Sequence, residues 1–383
     1  MHRASSVSTD TSTLPAVFMR GGTSRGLVIH ATDLPADAQT RDAMLLRAMG
    51  SPDSFGRQLN GMGSGSSSTS KVCVVAPSQR KDADVDYTFL QVRIDVARVE
   101  SRGNCGNMVA AVAAFAVDEG WVSTEGERAR VRIYNTNTGR LIHARVPLRN
   151  GAREVAGDCV IPGVSGTGAA IALDFLEPGG AITGALLPTG KCLDNAEDGT
   201  PMSCVDAGNA CVFVRDVAVG LRGDAHPDAI AADRPLMARL LALRAEAAVR
   251  MGIAADRTQA EAERMIPYLV VVSPPTTATT LEGSTLHADA MDGSVRVIAS
   301  GQPHRAVPLT VALCTAVAAA LPDTVVADGM RPQQAGQLRL GMPSGVLTVH
   351  ADVRHDAVRG RRVVSGGFER TARWLMRGLV NAG

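Results

Sequence analysis

The sequence contains an internal repeat: three segments of its first half have similar counterparts, in the same order, in its second half. Residues 69–75 resemble residues 207–213, each with a polar start followed by an apolar strand, and this match aligns Lys71 with Asn209. Such a duplication predicts two similar lobes, with a cleft between them.

The other two matches concern a helix and a later strand. Residues 103–106 lead into a helical segment of small residues, as residues 302–305 lead into another, and each segment follows a polar, turn-prone loop. Residues 139–144 resemble residues 345–351 with one residue inserted. The two helices are therefore expected to occupy equivalent positions in the two lobes.

A Gly- and Pro-rich region at residues 177–190 gives the boundary between the lobes. We predict an amino-terminal lobe over residues 1–184 and a carboxy-terminal lobe over residues 185–383, whose terminal helix packs back on the first lobe. A charged helical stretch at residues 224–264 makes the second half longer. Ligand sites favour the cleft between two such lobes.

Strand-like apolar runs outnumber helical segments, which predicts an α+β fold dominated by sheet. The predicted strands include residues 72–76, 91–96, 130–133, 141–146, 211–214, 268–272, 294–299 and 347–351. The predicted helices, most of them rich in alanine, are residues 41–48, 108–118, 235–250, 309–320 and 370–379.

Charge and cysteine content exclude several classes of protein. Lysine plus arginine number 39 against 38 acidic residues, and aromatic residues are 3% of the chain, so neither nucleic acid nor a membrane surface is an expected partner. The seven cysteines show no CxxC spacing, which excludes a zinc-ribbon or disulfide-scaffold interpretation. Without a signal-peptide pattern or a long apolar run, we expect a cytoplasmic protein. No cluster of metal ligands is visible in the sequence, so we expect no bound metal.

A cysteine with polar neighbours precedes the first Ala/Val helix. Cys105 would lie at the helix amino terminus, where free N–H groups and the helix dipole favour an anion. Gly103 and Gly106 let the backbone approach a ligand, and Asn104 and Asn107 offer amide donors. The alternative is a buried structural cysteine in a helix cap.

A Gly/Ser-rich loop at residues 63–71 ends on Lys71, directly before an apolar strand that should draw this lysine inward. The GxxxxGK[ST] spacing is absent and a strand follows, so the loop does not predict nucleotide binding. A flexible surface linker is the alternative. The hydroxyl side chains of the loop suit carboxylates: Ser66, Ser67, Ser68, Thr69 and Ser70.

Three other places offer cationic side chains. Arg20 and Arg25 flank a glycine turn and could clamp a carboxylate between them. His304 and Arg305 precede the helix of the second lobe and could make cationic or hydrogen-bonding contacts. Arg370 and Arg373 lie at the start of the last predicted helix, where either could contact an anion, and a solvated helix charge is the alternative for Arg373.

Four segments taken together, residues 19–24 (MRGGTS), 67–72 (SSTSKV), 104–107 (NCGN) and 370–373 (RTAR), closely resemble the PrpF family of methylaconitate isomerase-like proteins. The resemblance spans nearly the whole chain. It implies a diaminopimelate epimerase-like fold, in which two similar lobes of mixed, mostly antiparallel sheet each surround a central helix and the active site lies between the lobes.

The resemblance implies a cofactor-independent allylic isomerase that moves a C=C bond by a 1,3-proton shift. The substrate is then a small unsaturated di- or tricarboxylic acid, with a 2-methylaconitate cis/trans isomerase first and a 4-oxalomesaconate tautomerase, aconitate isomerase or 3-methylitaconate isomerase as alternatives. Two further alternatives are a non-catalytic accessory to an aconitase-like enzyme and an amino-acid racemase or epimerase. Two-lobed proteins of this kind often pair, so a homodimer is also expected.

By resemblance, Lys71 and Cys105 match the acid/base residues of the family. Related epimerases carry one cysteine at the helix of each lobe, whereas the second lobe here offers His304 and Arg305, which disfavours a two-thiol racemase. The residues that fall where substrate contacts are expected are Arg20, Thr23, Ser24, Ser66, Ser67, Ser68, Thr69, Ser70, Asn104, Gly106, Asn107, Asn209, His304 and Arg305.

Overall fold

The computed structural model describes residues 13–101, 104–331, 336–356 and 360–383. Gly103, which was expected to help a ligand approach the backbone, lies outside these residues. The helices are α1 (Ala38–Met49), α2 (Gly106–Asp118), α3 (Asp216–Val219), α4 (Pro227–Ala232), α5 (Arg234–Arg250), α6 (Arg257–Ala262) and α7 (Leu309–Ala319).

The strands of the first half are β1 (Thr13–Gly21), β2 (Ser24–His30), β3 (Lys71–Pro77), β4 (Val85–Val92), β5 (Val99–Glu100), β6 (Arg128–Asn135), β7 (Arg140–Arg149), β8 (Ala152–Arg153), β9 (Cys159–Val160), β10 (Thr167–Gly168) and β11 (Ile171–Leu176). Those of the second half are β12 (Asp194–Asn195), β13 (Pro201–Ala207), β14 (Asn209–Arg215), β15 (Tyr268–Ser273), β16 (Ala278–Thr279), β17 (Thr285–Leu286), β18 (Gly293–Ala299), β19 (Gln302–Pro303), β20 (Gln337–Met342), β21 (Gly345–Asp356), β22 (Gly360–Arg370) and β23 (Ala372–Asn381).

Helices α2 and α7 are the central helices of the two lobes. All residues from Gly106 to Val117 in α2 and from Leu309 to Ala318 in α7 are buried. A helix that is apolar on every side is stable only when other elements surround it, and alanine favours the helix while keeping its surface close to its neighbours. Both helices confirm the helical segments predicted at these places.

The strands of the two halves pair in the same order. In the first half, β1–β2 is antiparallel, β2–β3 parallel, β3–β4 antiparallel and β4–β6 parallel. In the second half, β13–β14, β14–β15, β15–β18 and β18–β20 repeat this alternation. The fold is therefore the predicted α+β arrangement of two similar lobes.

The sheets of the two halves are joined. Strand β11 pairs antiparallel with β7 of its own half and with β22 of the other half, and β23 pairs antiparallel with β1 along its length. The polypeptide therefore returns to the first lobe at its end. The boundary between residues 184 and 185 stays a prediction. Among the described residues, no helix is long and apolar enough to cross a membrane.

Two secondary-structure predictions were wrong. Residues 370–379, predicted as a helix, lie at the end of β22 and in β23, because pairing with β1 outweighs the helix propensity of their Ala, Leu, Met and Arg side chains. The strand predicted at 91–96 ends at Val92, and a turn follows in which Arg93 N–H donates to the Arg98 carbonyl.

The alignment of Lys71 with Asn209 was also wrong. Lys71 begins β3 and pairs with Gly26 of β2, whereas Asn209 begins β14, the counterpart of β2. In the second half the residue at the position of Lys71 is Tyr268, which pairs with Cys211 of β14. By strand order, Asn209 therefore corresponds to Ser24, the first residue of β2.

Candidate active site

Helices α2 and α7 begin at one narrow cavity between the two halves of the chain. The free space in it is about 30 Å³, close to the volume of one water molecule in the liquid. The free space is therefore smaller than an organic ligand needs. The cavity is lined by Ser24, Ser67, Lys71, Phe89, Gln91, Asn104, Cys105, Gly106, Asn107, Met265, Tyr268, Ala299, Ser300, His304, Pro308, Leu309 and Thr310.

Cys105 is the residue that caps the amino terminus of α2. Its side chain is almost fully buried, and its Sγ lies 3.9 Å from the Ser24 Oγ. No side chain accepts a hydrogen bond in the cap of α2, so the N–H groups of its first turn are not capped by a side chain. The thiol and the positive end of the helix dipole therefore meet at the cavity wall.

Lys71 also lines the cavity, and its side chain is held in place by its neighbours. Its Nζ donates a hydrogen bond of 2.8 Å to the Gln91 Oε1 and lies 4.9 Å from the centroid of the Phe89 ring. The Gln91 amide nitrogen in turn donates to the carbonyls of Ser67 (3.1 Å) and Ser70 (2.8 Å). Gln91 is opposite Lys71 in the β3–β4 pair. It thereby fixes the lysine and the Ser-rich loop together.

His304 reaches the cavity from the loop before α7. Burial, followed by the charge of Lys71, lowers the pKa of His304 to about 4, so its imidazole is neutral at pH 7. Its Nδ1 accepts a hydrogen bond of 3.4 Å from the Ala306 N–H, which places the ring proton on Nε2. A neutral N–H donor is therefore available at the cavity wall.

Tyr268 supplies a second neutral donor from the carboxy-terminal half. Burial is the largest cause that raises the pKa of Tyr268, and the nearby Cys105 adds to it. The phenol therefore keeps its proton at neutral pH. Tyr268 is the first residue of β15, and it lines the cavity from the second half.

Asparagine side chains join the starts of the two central helices. Asn104 N–H donates to the Asn209 Oδ1 at 3.2 Å, and the Asn209 Nδ2 donates to the Asn104 carbonyl at 3.1 Å and to the Thr310 Oγ1 at 2.7 Å. The Asn135 Nδ2 donates to the Asn104 Oδ1 at 3.3 Å. Asn209 is fully buried and lies behind the cavity wall. Asn209 therefore holds Asn104 and Thr310 of the cavity wall in position.

Gly106 lies at a close contact between the starts of the two central helices. A Cβ atom at this position would lie 2.9 Å from the Leu309 Cβ and 3.1 Å from the Phe368 Cζ. Real Cβ contacts are not that short, so a side chain here would force the first turns of α2 and α7 apart. The glycine is required for the close approach that forms the cavity.

Eight of the residues predicted for the site line this cavity: Ser24, Ser67, Lys71, Asn104, Cys105, Gly106, Asn107 and His304. The other eight do not line it: Arg20, Thr23, Ser66, Ser68, Thr69, Ser70, Asn209 and Arg305.

Several residues of this second group have partners that explain their places. Arg20 donates to the carbonyl and the hydroxyl of Thr371, which joins the β1–β2 turn to the end of β22. Arg305 forms an exposed ion pair of 2.9 Å with Asp228. Thr23 accepts a hydrogen bond of 3.0 Å from the Asn107 Nδ2. These side chains support the walls or lie at the surface.

The Ser-rich loop mostly bonds to itself. Ser66 and Ser68 share a hydrogen bond of 2.9 Å, and Thr69 donates to the Ser66 carbonyl. Ser70 is buried and donates to the Val92 carbonyl while accepting from the Gln58 amide. Within this loop, Ser67 is the hydroxyl residue that borders the cavity.

Sequence reasoning missed part of the lining. Gln91 gave a detectable signal, because it is a polar residue inside an apolar strand, but its partner follows from strand register alone. Met265 and Tyr268 precede a buried strand, and nothing near them in the sequence indicates a site. The other lining residues not predicted for the site are Phe89, Ala299, Ser300, Pro308, Leu309 and Thr310.

The two walls of the cavity differ in chemistry. The first half supplies hydroxyl, amide, amine and thiol groups, whereas the second half supplies the apolar surface of Met265, Ala299, Pro308 and Leu309 beside the polar side chains of Tyr268, Ser300, His304 and Thr310. Such a cavity suits a small molecule with carboxylates on one side and carbon substituents on the other. Among the residues that the structure describes, no group of three His, Cys, Asp or Glu side chains could hold a metal ion.

Comparisons with known proteins give a consistent result. Residues 11–382 match the family model described as PrpF protein. The chain is 38% identical over 373 residues to a 3-methylitaconate isomerase from Eubacterium barkeri, and the match covers 96% of each chain. It is 37% identical to a 4-oxalomesaconate tautomerase from Pseudomonas putida, over 97% of this chain and 96% of the other. It is 35% identical to a 2-methyl-aconitate isomerase from Shewanella oneidensis, over 95% of this chain and 96% of the other.

Solved structures agree with the fold. A crystal structure of methylitaconate-delta-isomerase is similar with a TM-score of 0.79 at 38% identity, covering 96% of both chains. A hydroxyproline epimerase from Agrobacterium vitis is similar with a TM-score of 0.55 at 12% identity, covering 96% of this chain and 92% of that one. The second likeness concerns the fold alone.

Proposed function

Since the chain belongs to the PrpF family, an isomerase family, we propose that it moves a C=C bond by one carbon in a small unsaturated di- or tricarboxylic acid, without a cofactor. A 2-methylaconitate is the first substrate to test. The observation that carries the proposal is the convergence of Lys71, Cys105 and the starts of two central helices on one cavity.

The charges of the cavity favour a polycarboxylate. The helix dipoles of α2 and α7 place partial positive charge at their first turns, neither of which has a side-chain cap. Lys71 adds a full positive charge when its amine is protonated. Asn104, Asn107 and Ser67 add polar atoms on the same wall. Two carboxylates of one substrate can therefore be bound about the reacting carbons.

The reaction needs two proton transfers and no change of oxidation state. One group removes a proton from the carbon next to the alkene, the electron pair of that C–H bond shifts through the alkene to form a delocalised dienolate, and a proton is added at the far carbon. Lys71 and Cys105 are the two side chains placed for these steps. We assign proton removal to Lys71 in its neutral amine form, which becomes an ammonium, and proton return to the thiol of Cys105, which becomes a thiolate. In the other direction the thiolate removes the proton and the ammonium returns one.

The dienolate carries negative charge onto a carboxylate, and donors that are already in place stabilise it more than the substrate. The first-turn N–H groups of α2, the Nε2–H of neutral His304 and the hydroxyl of Tyr268 are such donors. Closing of the lobes removes water from the cavity and strengthens these interactions.

A two-thiol racemase would need a second cysteine at the start of α7, and this chain has none there. The residue that caps α7 is Pro308, at the position that Cys105 occupies in α2. The apolar part of the second wall, with Met265 and Ala299, instead fits the methyl or other carbon substituent of the substrate. The named relatives act on different substituted acids at similar identity, so the identity values do not select one. A cytoplasmic location stays a prediction.

A substrate panel tests the proposal. We would incubate the protein with 2-methylaconitate, aconitate, 3-methylitaconate and 4-oxalomesaconate and follow the position of the alkene by proton NMR. Migration of the alkene in one of these acids supports the proposal and names the substrate. If none reacts while one still binds tightly, the protein is a binding or accessory protein and the proposal is wrong.

A further inference from the structure

A second cavity lies on the joined sheet of the two halves. It has a volume of about 520 Å³, and its walls come from β11, β21, β22 and the loop that holds β9. Of the residues that line the narrow cavity of the candidate active site, none lines this one. It is therefore large enough for a small organic molecule and is separate from that site.

Arg370 places a buried positive charge in the wall of this second cavity. Its side chain is 3% exposed, and among the described residues no carboxylate lies within ion-pair distance of its guanidinium. The Nε donates to the Asn107 Oδ1 at 3.3 Å, and the Nη1 donates to the Glu369 carbonyl at 2.7 Å. Burial lowers the pKa of Arg370 to about 9, so the group is still charged at pH 7.

The other basic side chains of this wall, Arg145 and His350, already have a partner. Arg145 donates to the Asp174 Oδ2 at 2.6 Å, and the His350 Nε2 lies 3.0 Å from the Asp174 Oδ1. Glu369 is exposed at the rim, where water stabilises its carboxylate. A buried cation without an anionic partner is costly, and an anion from solution removes that cost.

We propose that the second cavity binds a small oxyanion, a carboxylate or a phosphate, through the guanidinium of Arg370. Arg370 also holds Asn107 in the first turn of α2, so the same side chain contacts both the second cavity and the wall of the candidate active site. An occupant is therefore expected to influence the position of Asn107. This inference does not depend on the proposed reaction.

The test measures the melting temperature of the full chain with sodium phosphate, sodium succinate or sodium chloride at matched ionic strength. Thr348 lines the second cavity and is exposed, so Thr348→Glu adds a carboxylate there without disturbing the core. Thr285→Glu makes the same change at an exposed position of β17. Arg370→Gln removes the charge itself, and Lys71→Ala weakens anion binding in the candidate active site.

We expect phosphate, succinate or both to raise the melting temperature of the wild type by about 2 °C or more at saturation, relative to chloride. The rise should persist in Thr285→Glu and Lys71→Ala and be lost in Thr348→Glu and in Arg370→Gln. Whether phosphate or succinate raises the melting temperature distinguishes a phosphate ligand from a carboxylate ligand. If Arg370→Gln does not fold, the result with Thr348→Glu decides.

Three results would overturn the proposal. Neither anion raises the melting temperature of the wild type, the rise persists in Thr348→Glu, or the rise disappears in Lys71→Ala because the anion binds in the candidate active site.

Discussion

Asn209 and Asn104 hydrogen bond to each other twice, with the side chain of the first pairing with the backbone N–H and carbonyl of the second. The same Asn209 amide also donates to the Thr310 hydroxyl in α7. One side chain from the second half therefore sets the loop that carries Cys105 against the start of the other central helix.

We expect Asn209→Ala to lower the free energy of unfolding by about 1–3 kcal/mol, because it leaves the Asn104 backbone groups unpaired in a buried place. The turnover number should fall as well, since the loop that ends at Cys105 loses its anchor. Urea denaturation and steady-state kinetics measure the two effects. Asn195→Ala, at an exposed position of β12, is the matched control. Wild-type stability and activity in Asn209→Ala would contradict this role.

Gln91→Leu should lower the turnover number about 10- to 100-fold with a smaller effect on KM, because Lys71 loses the acceptor that fixes its Nζ. The Ser-rich loop also loses two hydrogen bonds from the same amide. Steady-state kinetics with the reactive acid measure both constants, and Gln39→Leu on the exposed surface of α1 is the control. An unchanged turnover number in Gln91→Leu would show that Lys71 needs no such support.

Gly106→Ala should destabilise the chain by about 1–3 kcal/mol and raise KM, because the added Cβ meets Leu309 and Phe368 and keeps the helix starts apart. Gly106→Val should do so more strongly. Thermal unfolding and kinetics measure the series. Gly179→Ala, where an added Cβ meets no atom closer than 3.6 Å and the backbone φ is not positive, is the control for the crowding at Gly106. Equal stability of Gly106→Ala and the wild type would contradict the packing argument.

His304 predicts a pH dependence of stability. Its folded pKa of about 4 is below its unfolded value of 6.5, so the unfolded chain binds the proton more readily. The stability of the neutral form is complete above pH 6.5 and is lost as the pH falls from 6.5 toward 4. The loss reaches up to about 3 kcal/mol relative to His304→Gln.

Urea denaturation of the wild type and of His304→Gln between pH 4 and pH 7 measures this difference. His355→Gln, which changes an exposed histidine, is the control. Parallel stability curves for the wild type and His304→Gln would mean that His304 is not buried in its neutral form.

Much of the fold followed from local sequence properties. The Ala- and Val-rich segments predicted α2 and α7, because a helix apolar on every side has to be central, and the polar residues before α2 located Cys105 at its start. The strands that were predicted correctly are apolar runs long enough to be read without their partners. These signals lie within single segments of the chain.

The parts that failed depend on pairing between distant segments. Residues 370–379 have good helix formers, but only the β1 partner makes them a strand. The place of Gln91 beside Lys71 is a matter of register between β3 and β4, and Arg20 has its partner in Thr371, 351 residues away. Local sequence carries no information about such partners, so most wall residues of the second half, His304 apart, were not predicted.

The most direct test of the two-residue mechanism is position-specific proton exchange in deuterated water. Each isomer of the reactive acid is given separately to Lys71→Ala and to Cys105→Ser, and proton NMR follows loss of the allylic proton. If each residue transfers the proton at one carbon only, Lys71→Ala exchanges the allylic proton of one isomer and Cys105→Ser exchanges that of the other isomer. The mechanism is contradicted if either variant still converts one isomer to the other at the wild-type rate, or if both variants exchange the same isomer.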